Sequence, residues 1–133
     1  TSKDNRLKSA QIIVSSPYTR ALQTASIISK ETGLEIVVEP DIREWQPDLT
    51  YQYKNSEEMQ EYYNDYIKNN GVYPINEKRK WETKEQLRNR VISVINKYKN
   101  NYDKVIVVAH KMAFQSICDC GDMKPAEIFE TIF

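Results

Sequence analysis

Hydrophobic positions along the chain fall into short β-branched runs that alternate with helical stripes. Ala10-Gln11-Ile12-Ile13-Val14-Ser15 is an apolar run with a polar exit, as a buried strand requires. Ser16-Pro17 follows at once. Ser caps helices and Pro suits the first helical position, so a helix is expected from there. Ala21, Leu22, Ala25 and Ile28 then recur at helical spacing, and Gly33 offers a stop. Glu35-Ile36-Val37-Val38-Glu39 reads as a second strand, closed by Pro40. Ser56, with Glu57 and Glu58 behind it, heads a helix reaching about Asn69, before Gly71. Thr83-Lys84-Glu85-Gln86 fits a capping box, and Leu87, Val91, Val94, Ile95 and Tyr98 mark one face of the helix it opens. Lys104-Val105-Ile106-Val107-Val108-Ala109 carries four consecutive β-branched residues, which suggests a strand buried on both faces. A helix from about Met112 to Cys118 and a last helical piece opened by Pro125 complete the pattern.

Strand, helix, strand, helical insert, helix, strand, helix is the order of an α/β fold. It predicts a three-layer sandwich, with a mostly parallel central sheet flanked by helices. At 133 residues the chain is one domain's worth, so 1–133 is read as a single unit. Within it, residues 41–83 form a distinct zone holding both Trp (Trp45, Trp81) and Tyr51, Tyr53, Tyr62, Tyr63, Tyr66 and Tyr73. Such an insert is either a lid or pocket wall, or an excursion that simply packs on the sheet.

Composition narrows the function. Lys+Arg is 19 and Asp+Glu is 19, so bulk charge favours neither nucleic acid nor an anionic membrane surface. The mean hydropathy of -0.69 and the lack of a long apolar run predict no membrane-spanning helix. The start, Thr1-Ser2-Lys3-Asp4-Asn5-Arg6, has no apolar stretch behind it and is not read as a signal peptide. It has no initiator Met, so the sequence is expected to be cut from a longer one. Cys118 and Cys120 are separated by one residue, too close for a comfortable disulfide, and two thiols cannot complete a zinc site. A reducing, cytoplasmic setting is the expectation. Three glycines leave no Gly-rich phosphate cradle.

In a parallel α/β sheet, ligands bind beyond the carboxyl ends of the strands. Two strand ends carry chemistry here: Ser15-Ser16-Pro17-Tyr18-Thr19-Arg20 and Ala109-His110-Lys111. Arg20 falls in the first turn of a helix, where a guanidinium can join free N–H groups in holding a phosphate or carboxylate; otherwise it is a solvated or Glu-paired surface Arg. His110, the single histidine, is a nucleophile, a proton carrier, an anion partner, or a hydrogen-bonded structural residue. Glu44, beside Trp45, is a general acid if the indole raises its pKa, or a solvated carboxylate.

Ser15-Ser16-Pro17-Tyr18-Thr19-Arg20-Ala21-Leu22-Gln23-Thr24-Ala25 resembles the SSPxxRAxQTA segment of the histidine phosphatase superfamily, in its phosphoglycerate-mutase-like branch. Val105 to His110 resembles that family's second-histidine strand, and Trp81-Glu82-Thr83 with Arg90-Val91 is similar to its segment before the long helix. The resemblance implies a phosphomonoesterase that works through a phosphohistidine. Two Arg and a second His hold the phosphoryl oxygens, and an acid protonates the leaving oxygen. By position, Arg20 and His110 are implied as phosphate-holding catalytic residues and Glu44 as proton donor; Ser16 and Lys111 are read beside them as further phosphate contacts. A small phosphorylated molecule or phosphate is the implied ligand, with no metal and no cofactor. A mutase, or a phospho-ligand-binding module without turnover, remains an alternative.

Two departures stand out. The family's nucleophile lies in an Arg-His-Gly motif on a strand upstream of SSPxxR, and nothing of that kind precedes Ala10. The chain is therefore expected to lack that first strand and to be inactive as given, with unpaired sheet edges open to self-association. Lys111 stands where the family usually has Gly, either adding an anion contact or blocking close backbone approach.

Overall fold

The computed structural model describes residues 3–133. Three parallel strands form the sheet: β1 (Ile12–Ser15), β2 (Ile36–Val38) and β3 (Val105–Val108), in the order β2-β1-β3. Ile13 pairs with Ile36 on one side of β1 and with Ile106 on the other. The helices are α1 (Thr19–Thr32), α2 (Ser56–Lys68), α3 (Lys84–Lys99) and α4 (Lys111–Gln115), with 3-10 turns at Asn5–Leu7 and Pro40–Ile42.

Strand alternation sorts the core into two layers. Ile13 and Ile106 pack with Leu7, Ala25 and Ile28, so α1 covers one face. Ile12 and Val14 pack with Ile42, Trp45, Tyr66, Trp81, Leu87, Val91, Val94, Tyr98 and Ala113, so α2, α3 and α4 cover the other. The flanked parallel sheet is the three-layer arrangement expected. Residues 41–83 supply the aromatic half of the second layer. Tyr66 stands edge-on to Trp81 at 5.3 Å between ring centroids, and Trp45 lies 5.0 Å from Tyr66. Rings in these orientations attract through their quadrupoles as well as by burial.

Several boundaries differ from the sequence reading. The strand at 105–108 is only half-buried at Val105, Val107 and Val108, because β3 lies at the sheet edge and β1 is the strand buried throughout. The first long helix begins at Thr19, not at Ser16-Pro17, because the Ser16 hydroxyl accepts from Tyr18 N and is otherwise engaged with His110. Asn55, not Ser56, caps α2 by accepting from Glu58 N at 2.9 Å. The helix after His110 runs over Lys111–Gln115, ending where the Ser116 hydroxyl turns back to donate to the Ala113 carbonyl at 2.6 Å. No helix follows Pro125 among the described residues, and Ala126 sits at φ 61 in the left-handed region, outside any right-handed helix. The Thr83–Gln86 capping box is present in both directions.

Candidate phosphate site at the strand ends

β1 and β3 lie side by side and in register, Ser15 opposite Val108, so the chain leaves both strands at one rim. Ser16 N donates to Val108 O at 2.9 Å across that rim. The next residues are then forced together. Ser16 Oγ lies 2.7 Å from His110 Nε2, and Arg20 Nη2 lies 3.2 Å from His110 Nδ1. A guanidinium can only donate, so Nδ1 accepts and the proton of the neutral ring sits on Nε2, where it is donated to Ser16. The Tyr18 ring lies 5.0 Å from the imidazole, and the Arg20 guanidinium sits 5.6 Å from the Tyr18 centroid.

His110 is buried and Arg20 is exposed. Among the described residues Arg20 has no carboxylate partner, so its charge faces solvent uncompensated. Burial, first, and then the nearby charges of Arg20 and Arg90 push the imidazole down to about 4. The ring is therefore neutral at pH 7 while the site is empty. This corner offers one fixed cation, a chargeable imidazole and a hydroxyl, all suited to an anion.

Glu44 joins them from the loop after β2. Its Oε1 accepts from Trp45 N at 2.8 Å and Ala113 N at 3.1 Å, and its Oε2 accepts from Met112 N at 3.2 Å. The carboxylate thus sits on the free amides that open α4, two and three residues after His110. Lys111, the fifth expected contact, turns outward to pair with Asp122. Cys118 and Cys120 are free thiols, and burial pushes Cys118 up to about 12. Among the described residues no group of three or more His, Cys, Asp or Glu side chains could hold a metal ion. A groove of about 310 Å³ against α4, lined by Tyr63, Tyr66, Lys84, Leu87 and Gln115 among others, shares Met112 with this corner but not the imidazole.

Four residues complete the site that the motif reading did not assign to it: Tyr18, Gln46, Glu82 and Arg90. Gln46 Nε2 donates to Tyr18 Oη at 2.9 Å and to Glu44 O at 3.0 Å. Glu82, which is buried, receives Arg90 Nε at 2.6 Å and Gln46 N at 3.1 Å. One signal for Arg90 was present: it sits at helical spacing within the buried stripe Leu87, Val91, Val94, a costly place for a charge without a partner.

Compared with known proteins, the sequence matches the histidine phosphatase superfamily (branch 1) over residues 4–132. The fold is similar to three solved structures. Mycobacterial hydrolase 1 superposes with a TM-score of 0.63 at 17% identity, covering 84% of this chain and 58% of that one. A mycobacterial glucosyl-3-phosphoglycerate phosphatase gives 0.60 at 17%, covering 81% and 56%. A candidate alpha-ribazole-5'-P phosphatase from Escherichia coli gives 0.56 at 19%, covering 80% and 53%. The chain thus spans little more than half the length of each of these structures. No curated protein matches the sequence. Among the described residues no helix is long and apolar enough to cross a membrane.

Proposed function

Because the chain belongs to the histidine phosphatase superfamily, branch 1, we propose that it carries the phosphate-holding half of a phosphomonoester hydrolase. The observation that carries this reading is the convergence of Ser16, Arg20 and His110 at one rim, with an uncompensated guanidinium facing solvent.

In the proposed reaction, a histidine nitrogen attacks phosphorus and the bond to the leaving oxygen breaks. Glu44 gives its proton to that oxygen. Water then attacks the phosphohistidine, Glu44 takes a proton from the water, and phosphate departs. Arg20 and a protonated His110 hold the equatorial oxygens, where charge accumulates in the transition state. Ser16 accepts from the imidazole and fixes its ring plane. Lys111 is a further cation available to the phosphate once Asp122 releases it.

The chemistry needs two histidines and this sequence holds one. We place the nucleophile on an upstream segment added beside β3. That outer edge has no strand partner among the described residues, and a parallel strand there would deliver side chains next to His110. The single histidine also favours a second reading, a module that binds a phosphorylated ligand without turnover.

Two assays separate them. Sulfate titrated calorimetrically into the 133-residue chain is expected to bind, and Arg20→Ala to weaken it about tenfold or more. Unchanged affinity in Arg20→Ala removes the site. Turnover of p-nitrophenyl phosphate is expected only when an upstream Arg-His-Gly segment is joined to the chain; binding without turnover in both forms favours the non-catalytic module.

A further inference from the structure

Arg90 has every donor occupied. A guanidinium offers five N–H groups in a fixed fork. Nε and Nη2 reach Glu82 at 2.6 and 2.9 Å, Nη2 also reaches Glu44 O at 3.1 Å, and Nη1 reaches Asp41 O at 2.7 Å and Arg43 O at 2.8 Å. The side chains of Arg90 and Glu82 are 12% and 3% exposed. A cation in this state has no donor left for a phosphate oxygen. Its charge is felt at His110, yet it is not built to clamp the ligand.

The acceptors say what it is built for. Three are main-chain carbonyls of residues 41, 43 and 44, in the irregular stretch after β2. Among the described residues no backbone amide bonds to these carbonyls, and besides Arg90 only Gln46 Nε2, at 3.0 Å from Glu44 O, reaches any of them, so side-chain donors hold this stretch in place. Glu82 extends the grip, since its Oε2 also accepts from Gln46 N, and Gln46 in turn holds the Tyr18 hydroxyl beside the imidazole.

We propose that Arg90 is the positioning residue for the proton donor: with Glu82 it clamps the main chain of residues 41–46 so that the Glu44 carboxylate seats on the Met112 and Ala113 amides, beside His110. This rests on the reading of Glu44 as the proton donor. Lysine at 90 would keep the charge but, with a single ammonium, could not span Glu82 and three carbonyls at once.

Amide NMR of the 133-residue chain tests it. The Met112 and Ala113 signals are expected to move in Glu44→Gln, which takes the carboxylate charge off their amides. Arg90→Lys is expected to move the same two signals, while sulfate still shifts the His110 ring signals. A folded Arg90→Lys chain with the Met112 and Ala113 signals unmoved overturns the proposal. Should Arg90→Lys not fold, Glu82→Gln serves, since its amide must turn a donor toward Arg90 or toward Gln46 N. Movement of the same two signals supports the clamp, and unmoved signals overturn it. Sulfate that leaves the His110 signals of the unaltered chain unmoved would instead sink the phosphatase reading, and with it the role given to Glu44.

Discussion

His110 carries most of the pH sensitivity that a single side chain can supply. Burial, then Arg20 and Arg90, hold it near 4 in the folded chain, against 6.5 for a free imidazole. Between those values the unfolded chain binds a proton that the folded chain refuses. Stability is therefore fullest above pH 6.5 and falls as pH drops toward 4, by up to roughly 3 kcal/mol from this group. A bound dianion reverses the preference, because it favours the charged ring. Sulfate affinity is expected to rise several-fold as pH falls from about 7 to about 5, with net proton uptake. Calorimetry in two buffers of different ionisation enthalpy measures that uptake, and a flat affinity without uptake would contradict it. Arg20, His110 and Glu44 were legible because each directly follows a strand or its loop, where α/β chemistry collects. Gln46 was not, because nothing local marks it; its importance comes from Tyr18 and Glu82, 28 and 36 residues away.

At the scale of elements, signals written in consecutive residues were read well and those set by neighbours were not. The capping box at Thr83–Gln86 is complete within four residues, and the structure has it. The strand Val105–Val108 was legible as a strand, but its burial depends on its place at the sheet edge, which no residue in it encodes. The start of α1 was misplaced because Ser16, a fitting cap by type, serves His110 instead. Two substitutions grade these effects. Thr83→Ala removes one side-chain cap and is expected to cost about 1 kcal/mol. Gly71→Ala is expected to cost more. Its φ is +71, and a Cβ there would meet Lys84 Cβ at 2.7 Å and the Tyr66 ring at 2.9 Å. Urea melts of both variants check the order, and a milder loss for Gly71→Ala would contradict it.

For the whole molecule, the sheet order puts the site where the chain's path changes sides. From β1 the chain goes to β2 on one flank, covered by α1, and then to β3 on the other, covered by α3. Ser16 and His110 flank that switch, a crevice any fold of this topology opens for a ligand. The two edges differ. β2 has no strand beyond it either among the described residues, but it is three residues long against four for β3, with Glu35 and Glu39 at its ends and Pro40 after them. β3 presents Val105, Val107 and Val108 half-exposed with no strand beyond it among the described residues. The 133-residue chain is expected to associate with itself through β3 as its concentration rises. Analytical ultracentrifugation over a hundredfold dilution series checks this, and one monomeric species throughout would refute it.

The shorter β2 edge, with a carboxylate at either end, sets how far such joining can go. Joining through β3 uses that edge up on both copies. The expected product is a two-fold pair with only the three-residue β2 edge left to recruit a third. Assembly of this kind is expected to stall at twice the mass and leave the solution clear, instead of growing into fibres.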